Sequence, residues 1–253
     1  MQPALYPSLK NKVVYVTGGA GGIGEAISMG FAVQGASVGI LDIDESAGKA
    51  LEAKLIASGH TAFAIACDLR DIAALQSALA TLKSNIGAAD ILVNNAAHDQ
   101  RHKWQDMTPQ YWDERMAVNL RHMFFAIQAV APDMIAKNAG SIINFSSTSW
   151  KLKMGEMPAY TTAKAAIHGL TRSFMMEFGR SNIRVNTVYP GWVMTARQKE
   201  LWFNDEGQKM LDEVQALRGL IQPEDIANMV LFLGADDSRF CSGQEFTVDG
   251  GWI

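Results

Sequence analysis

The sequence predicts a doubly wound α/β fold: a parallel sheet of about seven strands with helices on both faces. Three observations carry that prediction. Short apolar or β-branched runs alternate with longer helical stretches along almost the whole chain. The first of those runs ends in a cluster of glycines that leads into a helical pattern. No linker rich in Pro, Gly or Ser and no internal repeat divides the 253 residues, so a single domain, 1–253, is expected.

Val13-Val14-Tyr15-Val16 is apolar throughout, as a strand buried on both faces should be. Ser37 to Leu41 and Thr61 to Ala66 read as the next two strands. Ile91-Leu92-Val93, Ser141 to Phe145, Ile183 to Val188 and Glu245 to Val248 complete the set. Between them, Ile72, Leu75, Leu79 and Leu82 recur at spacings of three or four, one apolar face of a helix. Met116 to Val130 and Ala159 to Phe178 are longer versions with small residues admixed. About 197 to 220 breaks the rhythm: it is polar, helical and rich in Trp, Met and charge, and reads as a substrate-loop insertion over one end of the sheet.

Composition narrows the function. Hydrophobic residues make up 48%, and 22 Lys+Arg face 26 Asp+Glu for a net charge of -4. That balance argues against disorder and against a general nucleic-acid binder. Cys67 and Cys241 have no metal-type spacing, so two free thiols in a reducing compartment and no bound metal are expected. Met1 to Lys12 lacks the basic segment and apolar core of a secretion signal. The longest apolar stretch, around Met123 to Ala131, is interrupted by Gln128 and falls well short of the ~20 residues that span a bilayer. The expectation is a cytoplasmic protein with neither a membrane nor a nucleic acid as partner.

After the first strand comes Thr17-Gly18-Gly19-Ala20-Gly21-Gly22-Ile23-Gly24. Glycines here let the backbone turn tightly and bring amide N–H groups and a helix N-terminus against a pyrophosphate. The run fits G-x-G-x-x-G through Gly19, Gly21 and Gly24, and T-G-x-x-x-G-x-G through Gly18, Gly22 and Gly24. Asp42, at the end of the second strand, is placed to accept from the adenosine ribose hydroxyls. A 2′-phosphate there would meet like charge, with no Arg or Lys from Thr17 to Ile43 to offset it. NAD is therefore expected rather than NADP.

Tyr160 and Lys164 are four apart in a predicted helix, so both project from one face. A tyrosine acting as a base near pH 7 needs a downward shift of about three units, roughly 4 kcal/mol of preferential phenolate stabilisation. A nearby ammonium is one source of it. Thirteen residues before Tyr160 lies Ser147, at the end of a strand, where ligands bind in open α/β sheets. Asn94-Asn95-Ala96-Ala97 follows the fourth strand, and Val118-Asn119 lies inside the next helix. Pro190-Gly191 with Val193 and Thr195 follows the sixth strand.

With these motifs in this order, the sequence resembles the short-chain dehydrogenase/reductase family over essentially its full length. The resemblance implies a Rossmann fold, a homotetramer or homodimer, and hydride transfer with NAD. It makes Tyr160 the general acid/base and has Lys164 lower its pKa while holding the nicotinamide ribose. Ser147 would polarise the substrate oxygen, and Asn119 would hold a water that relays protons through Lys164. Gly18, Gly22, Ile23, Gly24, Asn95, Pro190, Gly191, Val193 and Thr195 would line the cofactor, and Asp68 with Leu69 would meet the adenine. Ala97 stands where the family's motif usually has Gly. The thirteen-residue spacing favours Ser147 over Ser146 as the catalytic serine.

The loops after the strands carry hydrogen-bonding groups beside flat indoles: Asp99 among His98 to Trp104, then Ser149, Trp150 and Glu156, then Trp192 and Trp202. Such a set suits a sugar, with hydroxyls on its edge and C–H groups on its faces, better than a steroid or acyl chain. Three segments resemble bacterial NAD-dependent aldose 1-dehydrogenases of the D-xylose dehydrogenase type: Asp99-Gln100-Arg101-His102-Lys103, Tyr111-Trp112-Asp113-Glu114-Arg115 and Val118-Asn119-Leu120-Arg121-His122-Met123. The implied reaction oxidises C1 of a pentose or hexose such as D-xylose, L-arabinose, D-galactose or L-fucose to the lactone. A member of the same fold acting on another secondary alcohol, polyol or carbonyl compound remains the alternative, and a silent NAD-binding protein a more distant one.

Overall fold

The computed structural model describes residues 4–253. Seven strands form one parallel sheet: β1 (Val13–Thr17), β2 (Ser37–Asp42), β3 (Ala62–Ala66), β4 (Ile91–Asn94), β5 (Gly140–Phe145), β6 (Ile183–Pro190) and β7 (Glu245–Val248). Their order is β3-β2-β1-β4-β5-β6-β7, with every pairing parallel. The strand order reverses between β1 and β4, the switch point at which such sheets open a crevice at their carboxyl ends.

The helices are α1 (Gly22–Val33), α2 (Glu45–Ala57), α3 (Ile72–Ile86), α4 (Pro109–Met116), α5 (His122–Lys137), α6 (Pro158–Phe178), α7 (Ala196–Leu201), α8 (Asp205–Val214) and α9 (Pro223–Gly234). They cover both faces. Val14 and Val16 of β1 pack with Ile27 and Phe31 of α1 and Ile226 and Val230 of α9. Tyr15, between the two valines, turns to the other face against Leu75 and Leu82 of α3 and Ile127 of α5. The two-residue period of the strands thus feeds two separate cores, which is why their sequence is apolar without alternation. No helix among the described residues is long and apolar enough to cross a membrane.

One expected helix is built differently. In place of a continuous α-helix from Met116 to Val130, α4 ends at Met116, a π turn covers Ala117–Arg121, and α5 starts at His122. A π turn adds a residue to one turn and leaves the apolar spacing on either side intact, so periodicity does not register it.

A buried chain of side chains fixes α6 to the sheet. The Asn94 amide donates to Asn144 Oδ1 (2.9 Å), and the Asn144 amide donates to Thr171 Oγ1 (3.0 Å), which also accepts from Thr187 Oγ1 (2.8 Å). All four residues are buried, so each lost partner leaves a desolvated polar group behind. Asn144→Ala is expected to lower unfolding free energy by about 2–4 kcal/mol, read from denaturant or thermal unfolding, because it strands the Asn94 amide and removes one of the two donors to Thr171 Oγ1.

Candidate active site

Loops from the carboxyl ends of β1 to β6 enclose a cleft of about 1410 Å³, more than most small-ligand pockets need and enough for a dinucleotide with a small substrate. Its floor at one end is the glycine turn. Gly18 (φ 61°) and Gly22 (φ 54°) take left-handed backbone that other residues adopt at a cost. A Cβ on Gly24 would lie 1.8 Å from the Gly18 carbonyl oxygen, so no side chain fits there. Asp44, Asp71 and Thr195 cap α2, α3 and α7 with their side chains, whereas Gly21 leaves the first amides of α1 without a side-chain acceptor. Those amides lie where the sequence expects a pyrophosphate.

Asp42 serves this turn directly. Its Oδ2 accepts from the Ala20 amide at 2.9 Å and its Oδ1 from the Asp44 amide at 3.1 Å. Asn95 reaches the same turn from β4: its amide nitrogen donates to the Thr17 and Gly18 carbonyls, and its backbone N–H to Thr17 Oγ1. Across the cleft, the Thr195 methyl lies 3.1 Å from where a Gly22 Cβ would stand. Gly191 permits a close approach to Asp249, whose Cα would be 2.7 Å from a Cβ. Ile23, Leu69, Pro190 and Val193 also line the cleft. Ala97 is absent from the left-handed residues, so its methyl imposes no backbone strain.

Asp68 lines the cleft too, and Arg70 holds its carboxylate below the usual range. Arg70 continues to Glu114 (2.8 Å), Glu114 accepts from buried Arg115, and Arg115 Nη1 donates to His98 Nδ1 at 2.8 Å. An arginine can only donate, so His98 Nδ1 is the acceptor and its other nitrogen carries the proton. The chain of charges runs from the Asp68 end of the cleft to the loop after β4.

At the other end stand Tyr160, Lys164 and Ser147. Lys164 is buried and donates to the Phe145 carbonyl at 2.7 Å, with its ammonium 5.6 Å from the Tyr160 ring centre. The Ser147 hydroxyl lies close enough to Tyr160 to oppose the rise in its pKa, and it accepts from the Ser149 amide at 3.2 Å. Ser146 is spent elsewhere: its hydroxyl donates to the Lys164 carbonyl (2.7 Å) and accepts from Trp150 Nε1 (3.3 Å). Geometry thus separates the two serines. Burial raises the Tyr160 hydroxyl above its ordinary pKa, the Asp99 charge adds to the rise, and the Ser147 hydroxyl opposes it. The phenol is therefore not lowered by Lys164 within the protein alone, because desolvation of both groups outweighs their attraction. Burial also brings the Lys164 ammonium down to about 7, against the pull of Asp99.

A sequence profile described as enoyl-(acyl carrier protein) reductase matches residues 18–253 of this chain. The chain belongs to the short-chain dehydrogenase/reductase family. It is 48% identical over 252 residues to a D-xylose 1-dehydrogenase of Caulobacter vibrioides, covering 100% of each. It is 42% identical to a probable galactose dehydrogenase of Rhizobium meliloti, covering 97% of this chain and 96% of that one. A solved 7α-hydroxysteroid dehydrogenase, complexed with NADH and 7-oxo glycochenodeoxycholic acid, superposes with a TM-score of 0.93 at 33% identity over 99% of this chain and 98% of its own.

This short-chain dehydrogenase/reductase departs from the sequence expectations at three further residues. The Asn119 side chain is not free for a water: its oxygen accepts from the His98 amide (2.8 Å) and its nitrogen donates to the Arg115 carbonyl (3.0 Å). A water relay at this position would have to use a main-chain carbonyl of the π turn. Trp150 lies outside the cleft, its indole committed to Ser146 and packed beside Tyr189 and Lys151. Glu156, at φ 62°, is turned out to solvent 3.8 Å from Arg101. Asp99, Ser149, Trp192 and Trp202 do line the cleft.

Sequence reasoning missed Gln198, which lines it from the polar helical insertion. Arg101, in the loop after β4 expected to form the substrate pocket, and Trp252, near the chain end, line it as well. No group of three or more His, Cys, Asp and Glu among the described residues could hold a metal.

Burying the Lys164 ammonium costs stability in full below the folded pKa of about 7. The cost fades between that value and the unfolded value of 10.5, so stability should rise with pH across that window. Lys164→Met is expected to abolish turnover while raising the melting temperature at pH 7, and the gain should shrink as pH approaches 10. Differential scanning calorimetry across that range checks both the sign and the trend.

Proposed function

We propose that this chain is an NAD-dependent aldose 1-dehydrogenase, oxidising C1 of a pentose or hexose of the D-xylose, L-arabinose, D-galactose or L-fucose kind to its lactone. The observation that carries the reading is the chemistry of the cleft around Tyr160. Two lining residues present buried groups with no protein partner, the Ser149 hydroxyl and the Trp202 indole N–H. Buried polar groups without partners are rare and suit a ligand rich in hydroxyls. The Trp192 indole offers flat apolar surface beside them, as a pyranose face needs, while the Arg101 guanidinium covers one face of Trp202 at 4.6 Å. The D-xylose and galactose dehydrogenases among the relatives support the same class.

Gly18, Gly22, Gly24, Asp42, Asn95 and Thr195 would hold NAD, with Asp68 and Leu69 at its adenine. When bound, NAD supplies the acceptor for hydride and a positive charge that favours the Tyr160 phenolate. Tyr160 removes the proton from the C1 hydroxyl as the C1 hydrogen leaves as hydride. Ser147 hydrogen-bonds the same oxygen and keeps it directed at Tyr160. Lys164, anchored at Phe145, supports the phenolate electrostatically and holds the nicotinamide ribose.

Asp42 supports NAD over NADP through its negative charge at the ribose end. Arg70, the cation nearest in the chain of charges, is engaged by Asp68 and Glu114 and offers no free guanidinium to a 2′-phosphate. A homotetramer or homodimer in the cytoplasm completes the reading. It is supported by Phe124 and Met176, exposed on α5 and α6, and by free thiols at Cys67 and Cys241.

NADH formation measured with a panel of aldoses, polyols and simple secondary alcohols tests the assignment. Turnover confined to one or a few aldoses is the expected result, and turnover confined to acyclic alcohols would replace the sugar while keeping the hydride-transfer site. Tyr160→Phe should lower kcat by about 10²–10⁴-fold. Asp42→Ala should raise the KM for NAD about tenfold or more, the worth of one charge-assisted hydrogen bond. It should bring no matching gain with NADP.

A further inference from the structure

The Asp99 carboxylate sits between the reaction centre and the helices that close the cleft. Its Oδ1 accepts from Arg197 Nη2 (3.1 Å) and its Oδ2 from Gln198 Nε2 (2.8 Å), both on α7. The Gln198 oxygen accepts from Trp192 Nε1 at 2.9 Å. An indole only donates and a carboxylate only accepts, so this pair of neighbours fixes the amide in one orientation. Trp192 is itself held edge-on by Phe203, with ring centres 5.8 Å apart. The carboxylate is thus aimed by a three-residue chain that starts on a rigid indole.

Asp99 differs from the other acids of the cleft. Asp42, Asp44 and Asp68 belong to the nucleotide end, Glu114 is taken up by Arg70 and Arg115, and Glu206 lies in the first turn of α8, where it complements the helix N-terminus. The Asp99 charge acts on both Tyr160 and Lys164. Beside a base that must become an anion, a carboxylate is unfavourable unless it bonds the substrate, and Arg197 only partly offsets it.

A carboxylate has about four acceptor positions, and the protein fills one on each oxygen. One remains on each, a spacing that matches two neighbouring hydroxyls on a ring.

We infer that Asp99 reads the C2–C3 hydroxyl pair of the aldose, and that Gln198 is the positioning residue that aims it. The inference rests on the aldose reading given above and adds to it the residue that selects the sugar. Charge-assisted bonds to those hydroxyls favour the complete sugar, and a sugar lacking one leaves a desolvated carboxylate lone pair unpaired. The Trp192 face beside it carries the ring's C–H surface.

The test compares kcat/KM for the aldose best turned over in the panel with that for its 2-deoxy counterpart. Wild type should prefer the complete sugar by at least about a hundredfold. Asp99→Asn, which keeps the shape and removes the charge, should cut that preference at least about tenfold. Gln198→Ala should cut it too, through the KM for the sugar and with the KM for NAD held within about twofold; a merely structural loss would move both. A wild type that oxidises both sugars equally, or variants that keep the wild-type ratio, would overturn the role of Asp99. A wild type that oxidises no aldose would overturn the aldose reading itself.

Discussion

A charged amine buried under α6 is the constraint around which this molecule is arranged. Lys164 is about as buried as the core leucines, and its ammonium has a main-chain carbonyl of β5 as its hydrogen-bond acceptor. A lone buried charge is costly, so the helix carrying it must be held where that bond survives. Ser146 returns a bond to the Lys164 carbonyl, and Asn144 ties Thr171 two turns further along. Tyr160 shares the helix face with Lys164, and Ser147 follows Ser146 on the strand end. The same clamp that makes burial tolerable therefore fixes Tyr160 relative to Ser147.

Much of this was legible because the physics behind it is local. The five central strands are short runs buried on both faces, a texture that sets them apart from the helices between them. The glycine turn was readable because Gly18, Gly22 and Gly24 answer to backbone geometry, which leaves few alternatives. Tyr160 and Lys164 sit one helical turn apart, a spacing that sequence alone converts into a shared face.

What was not legible depends on contacts between distant segments. Trp150 looked like part of a substrate wall, yet its indole is drawn to the far side by Ser146, four residues back. Glu156 follows a loop whose left-handed backbone turns the carboxylate outward. The Asn119 position was found, but its amide is consumed by His98 and Arg115, which approach it only because of the π turn. Arg70 and Glu114 lie 44 residues apart and meet only in the fold. No periodicity or motif could have joined them.

The fastening of α7 has a thermodynamic consequence. What joins it to the loop after β4 is an ion pair and an amide hydrogen bond to Asp99, with the Arg101 guanidinium stacked 4.6 Å from the Trp202 ring at the end of the helix. Parting them would wet mostly polar groups, and hydration of polar surface contributes little or negatively to heat capacity. Separating the two segments should therefore change heat capacity little, and warming would loosen their joint only weakly through that route. Dissolved salt would act more strongly, since the Arg197 end of the fastening is exposed to it. The joint between these two segments is in that sense loosened by ionic strength more than by heat.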